Sequence, residues 1–153
     1  MKNFIIILLV LIFCSGWSSA FRNENAELGI EIVEYPDFSS DFFDLVHSLW
    51  TYDAINDEYD ASGSTSFGVL QETASETIVH GDYYQVIFTI TNYVQGEVQV
   101  YVGAAHCDNK LANGTYTEII KADTFGGVIN VYNVKGSSYF QGTLTDLSIK
   151  RIH

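Results

Sequence analysis

Four carboxylates lie close together in one short acidic segment: Asp53, Asp57, Glu58 and Asp60. Clustered carboxylates can bind Ca²⁺, which prefers hard oxygen ligands. Their spacing does not match an EF-hand loop, in which acids occupy alternate positions around a central glycine. The segment therefore predicts either a weak structural calcium site or a solvated acidic turn. No other cofactor is predicted.

Tyrosines offer a second kind of chemistry. An aromatic ring can pack on the apolar face of a sugar ring while Asn or Asp side chains bond the hydroxyls. The same rings can instead serve as core or cross-strand pairs. Tyr101 is the better candidate, because it alternates with Val100 and Val102 and so lies on the opposite face of its strand. The glycan-binding candidates are Tyr52, Tyr101, Tyr116, Tyr132 and Tyr139.

Catalytic motifs are absent from the sequence. It contains no G-x-S-x-G elbow, no H-E-x-x-H helix and no Walker loop. None of the four histidines has metal-ligand spacing to another. Nineteen acids allow many carboxylate pairs of the glycosidase type, but abundance singles out none of them. We therefore predict that the protein is not an enzyme.

The second cysteine of the chain lies in the segment His106, Cys107 and Asp108. These three side chains could bind a metal or hold a reactive thiol. A loop with a half-buried thiol is the simpler interpretation. If Cys14 is removed with a signal peptide, Cys107 cannot form an internal disulfide, although an intermolecular one stays open.

Charge is strongly unbalanced along the chain. Nineteen acids face seven bases, giving a formal net charge of −12. Binding to nucleic acid is excluded on this basis, because phosphate neutralisation needs Lys and Arg. No base occurs from Asn23 to Asn109, a stretch that holds most of the acids. The molecule is therefore predicted to be either a charge dipole or a simply acidic soluble protein.

The first residues have the features of a secretory signal peptide. Lys2 precedes an apolar run over 4–13, and small residues lead up to Ala20. That run is about half the ~20 residues that a membrane-spanning helix needs, and bulky Phe13 before Cys14 disfavours lipidation. We expect export to the extracellular space or the cell surface, with no membrane contact after cleavage. The predicted divisions are a signal peptide over 1–20, a flexible segment over 21–27 and one domain over 28–153.

Strand patterns dominate the rest of the chain, and helical periodicity is weak. Only 41–49 is a candidate for a short helical turn. Apolar residues alternate with polar ones over short runs, which predicts an all-β antiparallel sandwich or barrel. The alternating runs are 27–34, 84–90, 98–102, 129–131 and 147–149.

Turn residues support this assignment. Gln95-Gly96 separates two strand patterns, and Asn113-Gly114 predicts a two-residue hairpin because both residues accept a positive φ. Asn113 also begins an N-glycosylation sequon. The apolar alternation changes parity near Thr145-Asp146, which predicts a β-bulge there.

Several segments resemble a family of carbohydrate-binding-module-like β-sandwiches from phage and bacterial surface proteins. The similar segments are PDFSSDFFDLVHSLWTYDAINDEYDASGSTSFGVLQE, YYQVIFTITNYVQGEVQVYVG, NGTYTEII and FQGTLTDLSIKRI, which together span about residues 32–152. The resemblance implies a single jelly-roll sandwich of the galactose-binding-like type, with Trp50 in its core and a structural calcium in many members. The family includes both sugar binders and purely structural modules.

Two functions are compatible with these features. The first is an extracellular structural subunit that assembles with copies of itself into a fibre or surface layer. Assembly would proceed through an exchanged N-terminal strand, Leu28, Ile30, Ile32 and Val33. The alternative is a stand-alone carbohydrate-binding module that recognises extracellular glycans.

Overall fold

The computed structural model describes residues 27–33, 36–41, 43–46, 49–63, 68–123, 126–134 and 138–153. The predicted signal peptide and nearly all of the segment 21–27 lie outside these residues. The described chain is all-β and forms two antiparallel sheets. Among the residues described, no helix is long and apolar enough to cross a membrane.

In chain order the strands are β1 (Leu28–Glu31), β2 (Leu45–Val46), β3 (Trp50–Asp53), β4 (Glu58–Ser62), β5 (Gly68–Ile78), β6 (Tyr83–Gln95), β7 (Glu97–Val102), β8 (Ala105–His106), β9 (Gly114–Lys121), β10 (Gly126–Val134) and β11 (Gln141–Ile152). Sheet A has the order β3-β4-β11-β6-β9, and β1 pairs with the C-terminal end of β11. Sheet B has the order β2-β5-β10-β7-β8.

The core lies between the two sheets, as the alternating patterns predict. The buried residues of β6, in sheet A, are Tyr84, Val86, Phe88 and Ile90. The buried residues of β7, in sheet B, are Val98, Val100 and Val102. Each sheet thus keeps one face against the core and leaves the other outside. Trp50 is buried among these residues and packs near the Phe140 ring, as the sequence indicates.

The helical turn considered for 41–49 is wrong where the structure describes that segment. Leu45 and Val46 form β2 and pair with Gln71 and Leu70 of β5. Val46 packs against the core cluster. Two neighbouring apolar residues therefore extend sheet B as a short edge strand instead of covering it as a helical turn.

Two of the predicted turn features are confirmed. Gly96 joins β6 to β7 with a φ of +78°, and a Cβ there would overlap the backbone of Tyr139. The pairing of β11 with β6 shifts register between Leu144 and Asp146, at the predicted bulge.

The predicted hairpin at Asn113-Gly114 is wrong. β8 belongs to sheet B and β9 to sheet A, so the chain crosses between sheets here instead of reversing within one. The Asn113 side chain stabilises the crossing, because its Oδ1 accepts a hydrogen bond from the Tyr93 amide at 2.8 Å. A sequence pattern that suits a tight turn thus serves a connection between layers.

The N-terminal strand does not place its apolar residues as its alternation predicts. Leu28 and Ile30 are exposed, and Leu28 lies opposite Ile152 on the outer face of sheet A, whereas Ile32 and Val33 are both buried. The alternation is interrupted because the pairing of β1 with β11 shifts register between Leu28 and Glu31. After Glu31, the backbone of Ile32 hydrogen-bonds to both sheets. Its N–H donates to the Ile149 carbonyl of β11, and its carbonyl accepts from the Ser75 N–H of β5.

Candidate functional site

Aromatic and amide side chains gather on the outer face of sheet B. Residues that pair across neighbouring strands point to the same face. Tyr101 of β7 pairs with Asn130 of β10, and Tyr132 of β10 pairs with Gln99 of β7. His106 of β8 lies opposite Tyr101, and Gln71 of β5 lies opposite Asn130. We call this group the aromatic–amide surface: Gln71, Gln99, Tyr101, His106, Asn130 and Tyr132.

Tyr101 is the centre of this surface. Its ring lies 4.7 Å from the Tyr132 ring in an edge-on arrangement at 83°, and 4.7 Å from the His106 ring. Its hydroxyl donates to Gln99 Oε1 at 3.1 Å, and Gln99 Nε2 donates to the Cys107 carbonyl at 3.3 Å. These contacts fix the orientation of both side chains, which lowers the entropy lost when a ligand binds.

The electrostatics of Tyr101 suit a neutral hydrogen-bonding role. Desolvation by burial is the main cause that raises the pKa of the Tyr101 hydroxyl, and Tyr132 and Cys107 add to it. The hydroxyl therefore keeps its proton at neutral pH and can donate. Rings and amides without a net charge are typical of surfaces that bind neutral polar ligands.

Asn130 supplies an acceptor that the described residues leave unpaired. Its side chain is only 9% exposed, and its Oδ1 has no hydrogen-bond partner in the described part of the chain. An unpaired buried acceptor costs about 1–3 kcal/mol. The Asn130 Oδ1 atom is almost inaccessible to solvent, so a ligand hydroxyl would reach it only after a neighbouring side chain moves. Asn130 pairs with Gln71 on one side and Tyr101 on the other, which places this acceptor inside the surface.

Three of the predicted glycan-binding tyrosines lie elsewhere. Tyr52 is in β3 and packs on Tyr59, and its hydroxyl donates to the Phe38 carbonyl at 3.0 Å. Tyr116 is in β9 and packs on Phe88. Tyr139 precedes β11 and is half-buried. The five candidates therefore do not share a face, and only Tyr101 and Tyr132 come together.

The acidic segment forms a tight group on the β3–β4 hairpin. Ligand oxygens of Asp53, Glu58 and Asp60 lie within 4.8 Å of one another. Asp57 stands apart with a positive φ of 53°, and its carboxylate accepts from the Tyr52 hydroxyl at 3.1 Å. The structure thus brings three of the four predicted calcium ligands together.

These carboxylates have different environments. Burial is the main cause that raises the pKa of Glu58, and the charges of Asp60 and Asp53 raise it further. The pKa of Asp53 is lowered, chiefly by the backbone N–H of Ile55. Asp60 accepts a hydrogen bond from the Thr143 hydroxyl at 2.6 Å. Crowded acids of this kind repel one another, and a divalent cation would relieve that repulsion.

Cys107 and Asn113 complete the predicted sites. Cys107 is buried rather than half-buried, and its sulfur accepts from the Val100 amide at 3.3 Å. Desolvation raises the pKa of this thiol, which disfavours the reactive thiolate. Asn113 is exposed on the crossing into β9, where a sequon can be reached.

Sequence reasoning did not single out Gln71, Gln99, His106 or Asn130 as partners of the tyrosines. The alternation in β7 and β10 indicates that Gln99 and Tyr132 point away from the core. That signal cannot say which strands are neighbours, so the common surface appears only in the structure.

No protein-family model matches the chain, and no curated protein matches it significantly. The resemblance to carbohydrate-binding modules therefore depends on the quoted segments alone and stays a prediction.

Proposed function

We propose that the protein is a secreted, non-catalytic jelly-roll β-sandwich that binds extracellular glycans on the outer face of sheet B. One observation carries the proposal: Tyr101 and Tyr132 lie in ring contact beside the unpaired Asn130 acceptor. Aromatic rings can contact the apolar face of a sugar, and amides can bond its hydroxyls. A site on one face of a sheet offers few contacts to a sugar, so a single copy is expected to bind weakly.

The test is retention of the purified protein on immobilised neutral polysaccharides, measured by affinity electrophoresis. Tyr132→Ala removes the ring that lies edge-on against Tyr101, and retention is expected to fall about tenfold. Tyr83→Ala is the matched control, because Tyr83 is 46% exposed on the outer face of sheet A. Equal retention of both variants and the wild type would refute the proposed surface.

A second candidate function is a structural subunit that assembles with copies of itself through an exchanged N-terminal strand. It is favoured by the position of β1, which among the described strands pairs only with the end of β11 and lies at the edge of sheet A. Exchange would carry the buried side chains of Ile32 and Val33 into a neighbour. Because Leu28 and Ile30 are exposed, only part of the predicted strand would fill a neighbour's core.

A disulfide between β1 and β11 tests the strand exchange directly. Leu28 lies opposite Ile152, so the double variant Leu28→Cys, Ile152→Cys can lock β1 onto its own sheet. Filaments seen by negative-stain electron microscopy with the reduced protein should disappear after oxidation. Filaments that persist in the fully oxidised protein would exclude strand exchange as their cause.

A further inference from the structure

The outer face of sheet A carries an apolar patch that crosses four strands. Leu28 pairs with Ile152, Ile152 with Tyr83, and Gln85 with Ile119, so these side chains share the outer face. Ile119 is 54% exposed, Leu28 is 47% exposed and Tyr83 is 46% exposed. Large apolar residues exposed together on one face indicate an interaction surface. The patch consists of Leu28, Tyr83, Ile87, Ile119 and Ile152.

Charge divides this face into two regions. Lys121 and Lys150 lie in the apolar patch, and Lys121 Nζ is 5.4 Å from the centre of the Tyr83 ring. The acidic group of the β3–β4 hairpin lies on the same outer face, beside the opposite half of β11. Glu31 lies opposite Lys150 in the same region, so the apolar region carries two lysines and one glutamate, and a separate acidic region occurs on the same surface. Such a surface is complementary to a second copy turned end for end.

We propose that two copies of this chain pair through the outer faces of sheet A. The two-fold axis lies between the two sheets, parallel to their planes and perpendicular to the strands. This rotation brings Lys150 of each copy toward Glu58 of its partner and sets Ile119 over the threonines of the opposite β9. An isologous contact of this kind closes on itself and gives a dimer. The partner is a second copy because the chain carries both halves of the complementary surface.

The area available fits a stable dimer. Five strand positions at ~4.8 Å and about eight residues at ~3.4 Å give roughly 650 Å² for each copy. The total, about 1,300 Å², falls within the usual range for specific protein interfaces, ~1,200–2,000 Å². Thr89, Thr115 and Thr117 keep the middle of the face flat, and the half-buried Asp146 is the acidic side chain beside them.

Dimerisation would give the aromatic–amide surface two copies that face in opposite directions. The two surfaces would be separated by the thickness of four stacked sheets, about 30 Å between the outermost layers. This consequence depends on the proposed glycan binding, whereas the dimer itself does not. A dimer with sites on opposite sides would cross-link two glycan chains instead of binding one surface twice.

The dimer is tested by analytical ultracentrifugation of the purified protein from low to high micromolar concentration. Ile119→Lys places a charge in the apolar patch and should make the protein monomeric throughout. Leu111→Lys is the matched control, because Leu111 is 57% exposed on the connection between β8 and β9, outside the patch and the acidic hairpin, and it should leave the dimer unchanged. A wild type that is monomeric at every concentration, or a dimer that Ile119→Lys does not weaken, would overturn the proposal.

A charge exchange tests the orientation of the two copies. Lys150→Glu and Glu58→Lys should each raise the dimer dissociation constant at least tenfold, because each change occurs twice in a two-fold contact. The double variant should return to within about threefold of the wild type. A double variant that is weaker than both single variants would exclude the end-for-end arrangement. Binding of monomer to anionic lipid vesicles through the patch would instead assign the face to a membrane.

The two proposals fail separately. Ile119→Lys leaves the outer face of sheet B intact, so its monomer should keep wild-type retention per binding site on a polysaccharide that the wild type binds. Tyr132→Ala leaves sheet A intact and should still dimerise. Loss of the dimer with glycan retention preserved would overturn only the pairing of copies.

Discussion

Glu31 determines where the N-terminal strand ends and how the chain enters the core. Its Oε1 accepts hydrogen bonds from the Ile149 amide at 2.6 Å and the Val33 amide at 3.2 Å, and its Oε2 accepts from the Ser148 hydroxyl. One side chain thus ties β1, the residues that follow it and β11 together. We expect Glu31→Ala to release this connection while leaving the rest of both sheets paired.

The size of the effect follows from the lost hydrogen bonds. A hydrogen bond to a charged group contributes about 1.5–3 kcal/mol, and Glu31 is half-buried, so the lower end applies to each amide. The loss is therefore about 3 kcal/mol, which lowers the melting temperature of a domain of this size by roughly 10 °C. Glu31→Gln keeps an acceptor for both amides and should lose about half as much.

Thermal unfolding followed by circular dichroism measures the difference in stability, and hydrogen exchange locates it. In Glu31→Ala the amides of Val33 and Ile149 should exchange faster, while amides in the middle of β6 stay protected. The reasoning is refuted if Glu31→Ala melts within 2 °C of the wild type. It is also refuted if Glu31→Gln destabilises the protein as much as Glu31→Ala does.

Three further predictions follow from single residues. Gly96→Ala should destabilise the domain by at least 2 kcal/mol in chemical denaturation, because the φ of Gly96 is +78° and the new Cβ would meet the backbone of Tyr139. Gly81 is the matched control: its φ is also positive, but a Cβ there would enter open space, so Gly81→Ala should destabilise the domain less. The raised pKa of Glu58 means that the folded state binds its proton more tightly than the unfolded state, so this group's contribution to stability falls as pH rises from the ordinary glutamate pKa through the raised folded-state pKa. Glu58→Gln should therefore raise the melting temperature by about 1–2 °C at neutral pH in the presence of a chelator. Ca²⁺ should raise the melting temperature of the wild type more than that of this variant. If neither protein responds to Ca²⁺, the segment is a solvated acidic turn and not a calcium site. Buried Cys107 should react with a thiol reagent only at the rate of unfolding, and fast labelling of the native protein would contradict its burial.

Local patterns predicted much of the core but little of the site. The alternation in β6 places Tyr84 through Ile90 correctly, because a strand with one buried face repeats every two residues whatever its neighbours are. The bulge after Leu144 follows from the same rule, since a parity change needs an extra residue. These features depend only on the chain's immediate sequence.

The errors have a different physical origin. Asn113-Gly114 suits a hairpin, but turn chemistry does not reveal whether the two strands belong to one sheet or to two. The interrupted alternation of the N-terminal strand depends on the pairing of β1 with β11, which lies at the other end of the chain. The contact between Tyr101 and Tyr132 likewise depends on β10 lying beside β7, which is long-range information.

The two outer faces of this sandwich differ in a way that the core does not require. Both inner faces are apolar because they meet each other, but an outer face needs only to tolerate water. Sheet B carries rings and amides outside, such as Tyr101 and Asn130, whereas sheet A carries exposed aliphatic residues such as Leu28 and Ile119. Exposed aliphatic residues offer no directional bonds and gain free energy only when they are covered, which suits contact with another protein surface. Rings with fixed hydroxyls and amides offer directional bonds to a polar ligand. The chemistry of the faces therefore divides the proposed tasks, with ligand binding on sheet B and pairing of copies on sheet A.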